Sequence, residues 1–495
     1  MHKIKPFIFP SLLFLLSFIL RLLLISKGPF NIDCLGLAII SQKTLETYQL
    51  QYFFGFGYPL TVLLGSACIL FLKLFSINDP IIALNFMSVL FSSLCIPVFY
   101  LITKKLFDSP TALFSSILFS VCPFFLGISV YGMSHAPSLF FLLIGIFFLL
   151  KYKENLKTKY FFLSSISIGL VGAARLQDLC LILIPVLFLF LQKNFSKKNV
   201  INLLWFGIII FLTTTLFHIP FFLENSREAY LKQLDLYQKT SFASNISPQI
   251  FITNIKIIAA TLSPIGLLMS ILGLFYTYKK SPQTTLILIL WIVIPLLLYS
   301  RLQTTAPRFF VIILPPLLMS TGFLLNKFMQ LNKIFRFISL SVYLILILTT
   351  FGNIYPRLAF RHKYALLPNY VKWVEKNTEH NARIITGDDH GFFTYYTQRQ
   401  ILKRPLRSTH FTKKELQEVK LRFNHLLNNN IPIYITFIGL YDYDPNQEFS
   451  EFMKENYKLE IIGEALYEGW HSGSLTKRIF YNPLVKITHL TQPEI

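Results

Sequence analysis

Gly57-Tyr58-Pro59-Leu60-Thr61-Val62-Leu63-Leu64-Gly65-Ser66-Ala67-Cys68-Ile69-Leu70-Phe71-Leu72-Lys73, within the apolar segment 57–77, decides how the whole chain is read. If this segment crosses a bilayer, Lys104-Lys105 falls outside, and every later Lys-rich loop turns outward with it. If it lies in the membrane plane, those loops fall on the cytoplasmic side, where Lys and Arg collect in membrane proteins. The in-plane reading is the one that the charge placement supports.

The composition sets the frame for that choice. The 495 residues have a mean hydropathy of +0.55, are 54% hydrophobic and are only 14% charged. A soluble fold cannot bury that much apolar surface, so the chain reads as a multi-spanning membrane protein. Its apolar residues come in blocks of roughly 20, the length that crosses about 30 Å of hydrocarbon as a helix. Strands of a barrel would alternate instead. The net charge of +22 does not point to nucleic acid, because the lysines sit in short loops between apolar blocks. The five cysteines (Cys34, Cys68, Cys95, Cys122 and Cys180) all precede the polar C-terminal region, which therefore has no disulfide framework. No CxxC or His/Cys cluster marks a metal site. The run Pro6 to Ile25 is too long for a signal-peptide core and lacks a small-residue cleavage site, so it reads as a retained first span.

With 57–77 in plane, eleven spans follow, at about 6–26, 80–102, 111–130, 136–150, 160–174, 177–192, 201–222, 253–276, 284–300, 308–326 and 334–352. The first outer stretch also holds an amphipathic helix at about 35–50. Each of six inner segments carries two to four basic residues, Lys104-Lys105 and Lys279-Lys280 among them. An outer loop covers 223–252. From about 353 the chain turns polar. Ala382–Gly387 and Ile431–Phe437 read as short buried strands, and Lys413–Asn428 as an amphipathic helix between them. The expected organisation is a transmembrane domain, 1–352, and a small extracytoplasmic α/β domain, 353–495.

On this topology a sparse set of polar groups lies at one level, the outer membrane face. It comprises Arg21, Asp33, Glu46, Lys73, His135, Arg175, Gln177, Asp178, Glu224, Arg301 and Arg308. Charges at that depth need partners or water, so they invite a functional reading. Arg175 interrupts the turn Gly172–Asp178, Arg301 closes a span, and Arg308 opens one in Pro307-Arg308-Phe309-Phe310. Planar, permanently charged guanidinium groups suit a phosphate at headgroup level. The competing reading is interfacial snorkelling. His135, in Tyr131–Pro137, reads either as a substrate ligand or as a satisfied interface histidine. Glu46 reads as solvated, or as a substrate contact. Lys73 is a candidate for an anionic headgroup. Asp33, the first acidic residue, is either a solvated loop residue or the base of a membrane-embedded enzyme. Asp388-Asp389-His390 reads as a turn after a strand.

Together these features resemble the GT-C glycosyltransferases, in particular the family 39 group of protein mannosyltransferases and the bacterial aminoarabinose transferase. The features are Arg21 late in span 1, Asp33 soon after it, and Tyr58-Pro59-Leu60 on the in-plane segment. The Ser134-His135 helix entrance, the Gly172–Arg175 turn, Arg308-Phe309-Phe310 with Pro315-Pro316, and the polar C-terminal domain complete the set. The resemblance implies an α-helical GT-C fold and transfer of a sugar from a polyprenyl-phosphate carrier to an acceptor outside the cytoplasm. It implies that Asp33 is the base. The family usually has a second acid beside it, where this chain has Cys34, and another at the entrance to span 4, where this chain has Ser134-His135. The implied phosphate ligands are Arg175, Arg308, Lys73 and Arg301, with Tyr58, His135 and Glu46 as further substrate contacts. The implied partners are membrane lipids, the carrier-linked sugar, and a protein, glycan or lipid acceptor. The expected location is the inner or plasma membrane, crossed many times. A divalent metal is left open, as are the sugar and the acceptor. Two other classes fit the layout less well. A polysaccharide ligase or polymerase would carry paired Arg/His in a larger mid-chain loop, whereas 223–252 has only Arg227. A transporter would show repeat symmetry and charges near mid-membrane.

Overall fold

Proline preceded by a short capping side chain starts many of this protein's helices, and the computed structural model shows how those starts set the architecture. It describes residues 5–53, 57–190, 197–224, 246–302, 306–387, 389–403, 411–441, 446–469 and 478–490, with positions 228, 231, 235 and 444. The chain divides into two compact units, Met1–Ser26 with Gly36–His362, and Lys27–Leu35 with Lys363–Ile495.

In chain order the helices of the membrane region are α1 (Lys5–Leu22), α2 (Ile32–Thr47), α3 (Pro59–Lys73), α4 (Pro80–Leu106), α5 (Ser109–Val121), α6 (Pro123–Ile128) and α7 (His135–Asn155). They continue with α8 (Thr158–Ala174), α9 (Leu183–Phe190), α10 (Lys197–Glu224), α11 (Pro248–Lys280), α12 (Pro282–Tyr299), α13 (Leu314–Met329) and α14 (Lys333–Lys363). Turns of 3-10 helix, Leu176–Ile182 and Pro307–Ile313, lead into α9 and α13. Asp79 accepts from the Ile81 N–H at 2.8 Å, Asp108 from Thr111 at 2.9 Å, and Ser247 from Ile250 at 3.3 Å. Each satisfies an amide that a helix start leaves without a partner, while proline occupies a position needing no donor.

Among the described residues seven helices are long and apolar enough to cross a membrane, so the chain is a multi-pass membrane protein. All eleven expected spans fall on helical segments, several in two pieces. The run 111–130 breaks at Cys122, whose extended backbone (φ −58°, ψ 126°) precedes Pro123. A residue before proline is pushed out of the helical region. The same logic interrupts α11 at Ser263 (φ 64°, ψ 159°), ahead of Pro264; the Ser263 Oγ then accepts from the Gly266 N–H at 3.2 Å. The in-plane candidates α2 and α3 have 16 and 15 residues. At 1.5 Å per residue they reach about 24 and about 22 Å, close to the length of α8, which has 17 residues.

Polar contacts mark the two ends of α4 and of the helices around it in the first unit. At one end Lys105 pairs with Glu154 at 2.5 Å, and Asn326 donates to Asp108 and to Thr111, each at 3.0 Å. At the other end Asn85 donates to the Ser26 carbonyl at 2.8 Å and accepts from the Gly132 N–H at 2.6 Å. The Tyr52 hydroxyl enters the α10 ladder beside Pro220, donating to the Phe217 carbonyl at 3.0 Å and accepting from the Phe221 N–H at 3.1 Å. A side chain inserted next to proline restores the bonds that the kink disturbs.

The second unit holds α15 (Leu366–Lys376), β1 (Arg383–Thr386), α16 (His390–Tyr396), β2 (Gln400–Lys403), α17 (Lys413–Asn428) and β3 (Ile433–Thr436). After these come α18 (Phe437–Tyr441), α19 (Glu448–Asn456), β4 (Tyr457–Gly469) and β5 (Arg478–His489). The five strands form one mixed sheet in the order β2-β1-β3-β5-β4. β1 is parallel to β2 and β3, while β5 runs antiparallel to β3 and β4. Ile385, Ile433, Ile435, Val419 and Phe423 share one core, so the two expected strands and the expected helix pack together. The capping box of Thr412 and Glu415 starts α17. Lys27–Leu35 belongs to this unit: Gly28 lies against Pro368 and Gly391 against Ile32.

Close helix packing gives the fold its most direct test. A Cβ on Gly273 of α11 would run into the backbone of Ser320 of α13, whereas one on Gly207 of α10 meets nothing within 4 Å. Gly273→Ala forces the helices apart, at about 1–3 kcal/mol for such overpacking. It lowers the melting temperature of the detergent-purified protein, and Gly207→Ala does not. Equal melting temperatures would contradict this packing.

Candidate active site

The site starts where α8 stops. Arg175 leaves the helix with extended backbone (φ −160°, ψ 98°), and the chain tightens into the 3-10 turn Leu176–Ile182. The Thr61 hydroxyl of α3 donates to the Ala174 carbonyl at 2.9 Å, satisfying an acceptor that the helix end leaves open. The turn places Arg175 and Asp178 on one side, with Nη1 and Oδ1 3.4 Å apart. Both are buried, at 4% and 3% exposure. An ion pair so deep survives only if further hydrogen bonds occupy the carboxylate. Ser138 of α7 donates to Oδ2 at 2.6 Å, and Tyr299, the last residue of α12, donates to Oδ1 at 3.1 Å.

Tyr299 also fixes an aromatic plate. Its ring stacks on Phe309 at 5.2 Å. Phe309 lies in the turn Pro307–Ile313, which Trp291 of α12 anchors by donating Nε1–H to the Ile312 carbonyl at 3.0 Å. The Arg175 and Arg308 guanidinium carbons lie 5.5 and 5.4 Å from the centre of the Phe309 ring, and the His135 imidazole stacks on it at 6.4 Å. Cations within about 6 Å of an aromatic face are attracted by its quadrupole. His135 is held at the start of α7 by the loop before it. Asn85 fixes Gly132, and the Ser88 hydroxyl accepts from the Met133 N–H at 3.1 Å. The imidazole is buried, and neither ring nitrogen has a hydrogen-bond partner among the described residues. A buried imidazole without partners is a place for a ligand or a water.

Four of the expected site residues meet at this end of the first unit. Arg175, Arg308 and His135 share the Phe309 ring. Tyr58, in the left-handed region at φ 64° before Pro59, donates to Gln177 of the same turn at 3.4 Å. Of the other three of this unit, Lys73 and Glu46 lie on α3 and α2 away from this turn, and Arg301 stands two residues beyond Tyr299. Lys73 is exposed on the last turn of α3, about 22 Å along the axis from Tyr58. Glu46 is exposed on α2 and accepts from Gln42 at 2.7 Å. Arg301 is exposed just beyond α12. Arg21 is fully buried, donating to the Ser17 hydroxyl at 2.6 Å and the Ser120 carbonyl at 3.1 Å, with Phe125 below its guanidinium. It ties α1 to α5 and α6.

Asp33 belongs to the Lys27–Leu35 stretch of the second unit. Asn31 caps α2 by accepting from the Cys34 N–H at 3.1 Å and donates to the Asp33 carboxylate at 3.3 Å. Asp33 is half-buried in the first helical turn, where the helix dipole favours a negative charge. Of the Asp388-Asp389-His390 run, Asp388 lies outside the described residues. Asp389 accepts from the Tyr467 hydroxyl at 3.0 Å. Burial, together with the Asp389 charge, pushes the neighbouring Tyr370 phenol well above its ordinary pKa. Among the described residues no three His, Cys, Asp or Glu side chains gather as metal ligands would.

Asp178 stands among the outer-face polar groups of the sequence reading without a role of its own, and Ser138, Tyr299 and Phe309 are not candidates in it. Asp178 carried a signal, since it stands three residues after Arg175 in a short turn. Ser138 and Tyr299 carried none. They lie 40 and 121 residues from Asp178 and reach it only through helix packing.

Residues 62–220 match the family described as dolichyl-phosphate-mannose-protein mannosyltransferase. No curated protein matches the chain by sequence. Among solved structures, ArnT of Cupriavidus metallidurans bound to undecaprenyl phosphate aligns with a TM-score of 0.58 and 11% identity, covering 98% of each chain. Its apo form aligns with a TM-score of 0.60 at 11% identity and the same coverage. The oligosaccharyltransferase of Archaeoglobus fulgidus, tethered with an acceptor peptide, gives 0.54 at 13% identity, covering 96% of this chain and 74% of that one. At such identities the likeness is one of fold, and the fold extends over nearly the whole chain: it is that of the GT-C glycosyltransferases.

Proposed function

We propose that the protein is an inverting glycosyltransferase that moves a sugar from a polyprenyl-phosphate carrier to an acceptor on the extracytoplasmic face of the cell membrane. One observation carries this reading. In a GT-C fold, two guanidinium groups converge on one aromatic ring at one end of a bundle of apolar helices, together with an imidazole that has no hydrogen-bond partner among the described residues. The undecaprenyl phosphate bound to ArnT supports the choice of carrier.

The chemistry assigns roles simply. The leaving group is already a phosphate, so it needs charge stabilisation and no acid. Arg175 and Arg308 supply that charge from beside Phe309, and the burial of Arg175 makes its field strong. His135 bonds an oxygen of the carrier phosphate or of the sugar. Asp33 takes the acceptor proton as the acceptor oxygen attacks the anomeric carbon opposite the phosphate. That single displacement inverts the anomeric configuration. Tyr58 lines the donor end through the Arg175 turn. The acceptor is a protein, glycan or lipid.

Asp33→Asn keeps the shape and the Asn31 contact but removes the base. Transfer falls by about a hundredfold or more while expression and melting temperature hold; near-normal transfer by this variant rules Asp33 out as base. Gln400 is exposed on β2, and the extracytoplasmic assignment of the polar domain is read there. A Gln400→Cys protein reacts with an impermeant thiol reagent in intact spheroplasts, above the level of the parent chain. Labelling that appears only after lysis puts that domain on the other side.

A further inference from the structure

We infer that Asp178 is a positioning residue for the anion site, acting through Arg175 and held in place by Tyr299 and Ser138. The inference rests on the carrier-phosphate reading above and adds the group that aims its cation.

The geometry is a closed loop of four side chains. Arg175 pairs with Asp178 at 3.4 Å, and Asp178 accepts from Tyr299 at 3.1 Å. Tyr299 stacks on Phe309 at 5.2 Å, and Phe309 lies 5.5 Å from the Arg175 guanidinium carbon. Ser138 fixes the other carboxylate oxygen at 2.6 Å. Every member is held by two others, and the elements that supply them come from distant parts of the chain. An arginine alone has four rotatable side-chain bonds and settles in many orientations. One held by a buried carboxylate at one edge and an aromatic face below has essentially one. Asp178 is 3% exposed and carries two hydroxyl donors, so it does not itself reach for a ligand. Its effect on an anion passes through Arg175.

Two consequences of Asp178 oppose each other. Its negative charge repels a phosphate, while its hold on Arg175 aims a cation at one. The inference states that aiming wins. Tyr299→Phe separates the two, because it removes an orienting bond and leaves the charge in place.

The test is binding of undecaprenyl phosphate to the purified full-length protein in detergent, by calorimetry, with melting temperatures recorded for each ligand-free variant. Asp178→Asn weakens binding about tenfold and Tyr299→Phe about threefold, within the span of a coupled pair. In an Arg175→Gln background neither substitution weakens binding further. A purely structural role gives the same loss in both backgrounds, and that result overturns the inference. Wild-type or tighter binding by Asp178→Asn overturns it as well, leaving Asp178 as counter-charge alone. If Asp178→Asn does not yield folded protein, the Tyr299→Phe pair decides by the same criterion. Binding by the parent chain with no effect of these variants removes this inference and leaves the proposed function standing. No binding of undecaprenyl phosphate by the parent chain removes both.

Discussion

A guanidinium inside an apolar helix bundle needs partners for its charge, and a buried carboxylate that serves as one needs donors that complete its own bonds. Arg175 meets this condition through Asp178, and Asp178 meets it through Ser138 and Tyr299. The requirement reaches far into the fold. It fixes where α8 must end, because the pair needs the tight turn after Ala174. It fixes the last residue of α12, because Tyr299 must reach across. It fixes the turn before α13 as well, since Phe309 stacks on Tyr299 beneath the same cation. Three helix ends are thus brought to one point by one ion pair, and His135 and Arg308 are delivered to it at the same time.

The surrounding bundle holds those ends still by the same economy of partners. Helix starts are capped by Asp79, Asp108 and Ser247, and the loop before His135 is held by Asn85 and Ser88. Where proline breaks a helix, a polar group is at hand. The Tyr52 hydroxyl bridges the bonds beside Pro220, and Ser263 restarts α11 ahead of Gly266. In a hydrocarbon setting an unmade backbone bond costs several kcal/mol, about twice its usual cost in a water-accessible fold. These side chains are therefore part of what makes the breaks tolerable.

Much of this was legible in the sequence, and the reasons for the rest are physical. Runs of about 20 apolar residues and basic loops give the spans, because the bilayer imposes one length and one charge bias. The strands at Arg383–Thr386 and Ile433–Thr436 are readable because both faces are largely buried, which puts Ile384-Ile385 and Ile433-Tyr434-Ile435 in unbroken runs. The β4–β5 hairpin was not read. Ile461 and Leu466 are exposed and the register slips between Ile461 and Gly463, so β4 lacks clean alternation. At the site, charged residues announced themselves: Arg175, Arg308 and His135 are rare types for such a setting. Lys73 has the right charge but sits at the far end of α3, since sequence shows that a residue is basic and not which end of a bundle it reaches. Ser138, Tyr299 and Phe309 are ordinary membrane-helix residues. Their part in the site comes only from long-range packing.

The proposed reaction is transfer of a sugar from a polyprenyl phosphate with inversion. The most direct measurement incubates purified protein with a panel of β-linked polyprenyl-phosphate sugars and cell-envelope acceptors. Mass spectrometry then follows the acceptors, and NMR the new anomeric centre. The expected result is that one donor is consumed, that free polyprenyl phosphate appears in equal amount, and that the product linkage is α. Retention of the β configuration, or consumption only of diphosphate-linked donors, would contradict it.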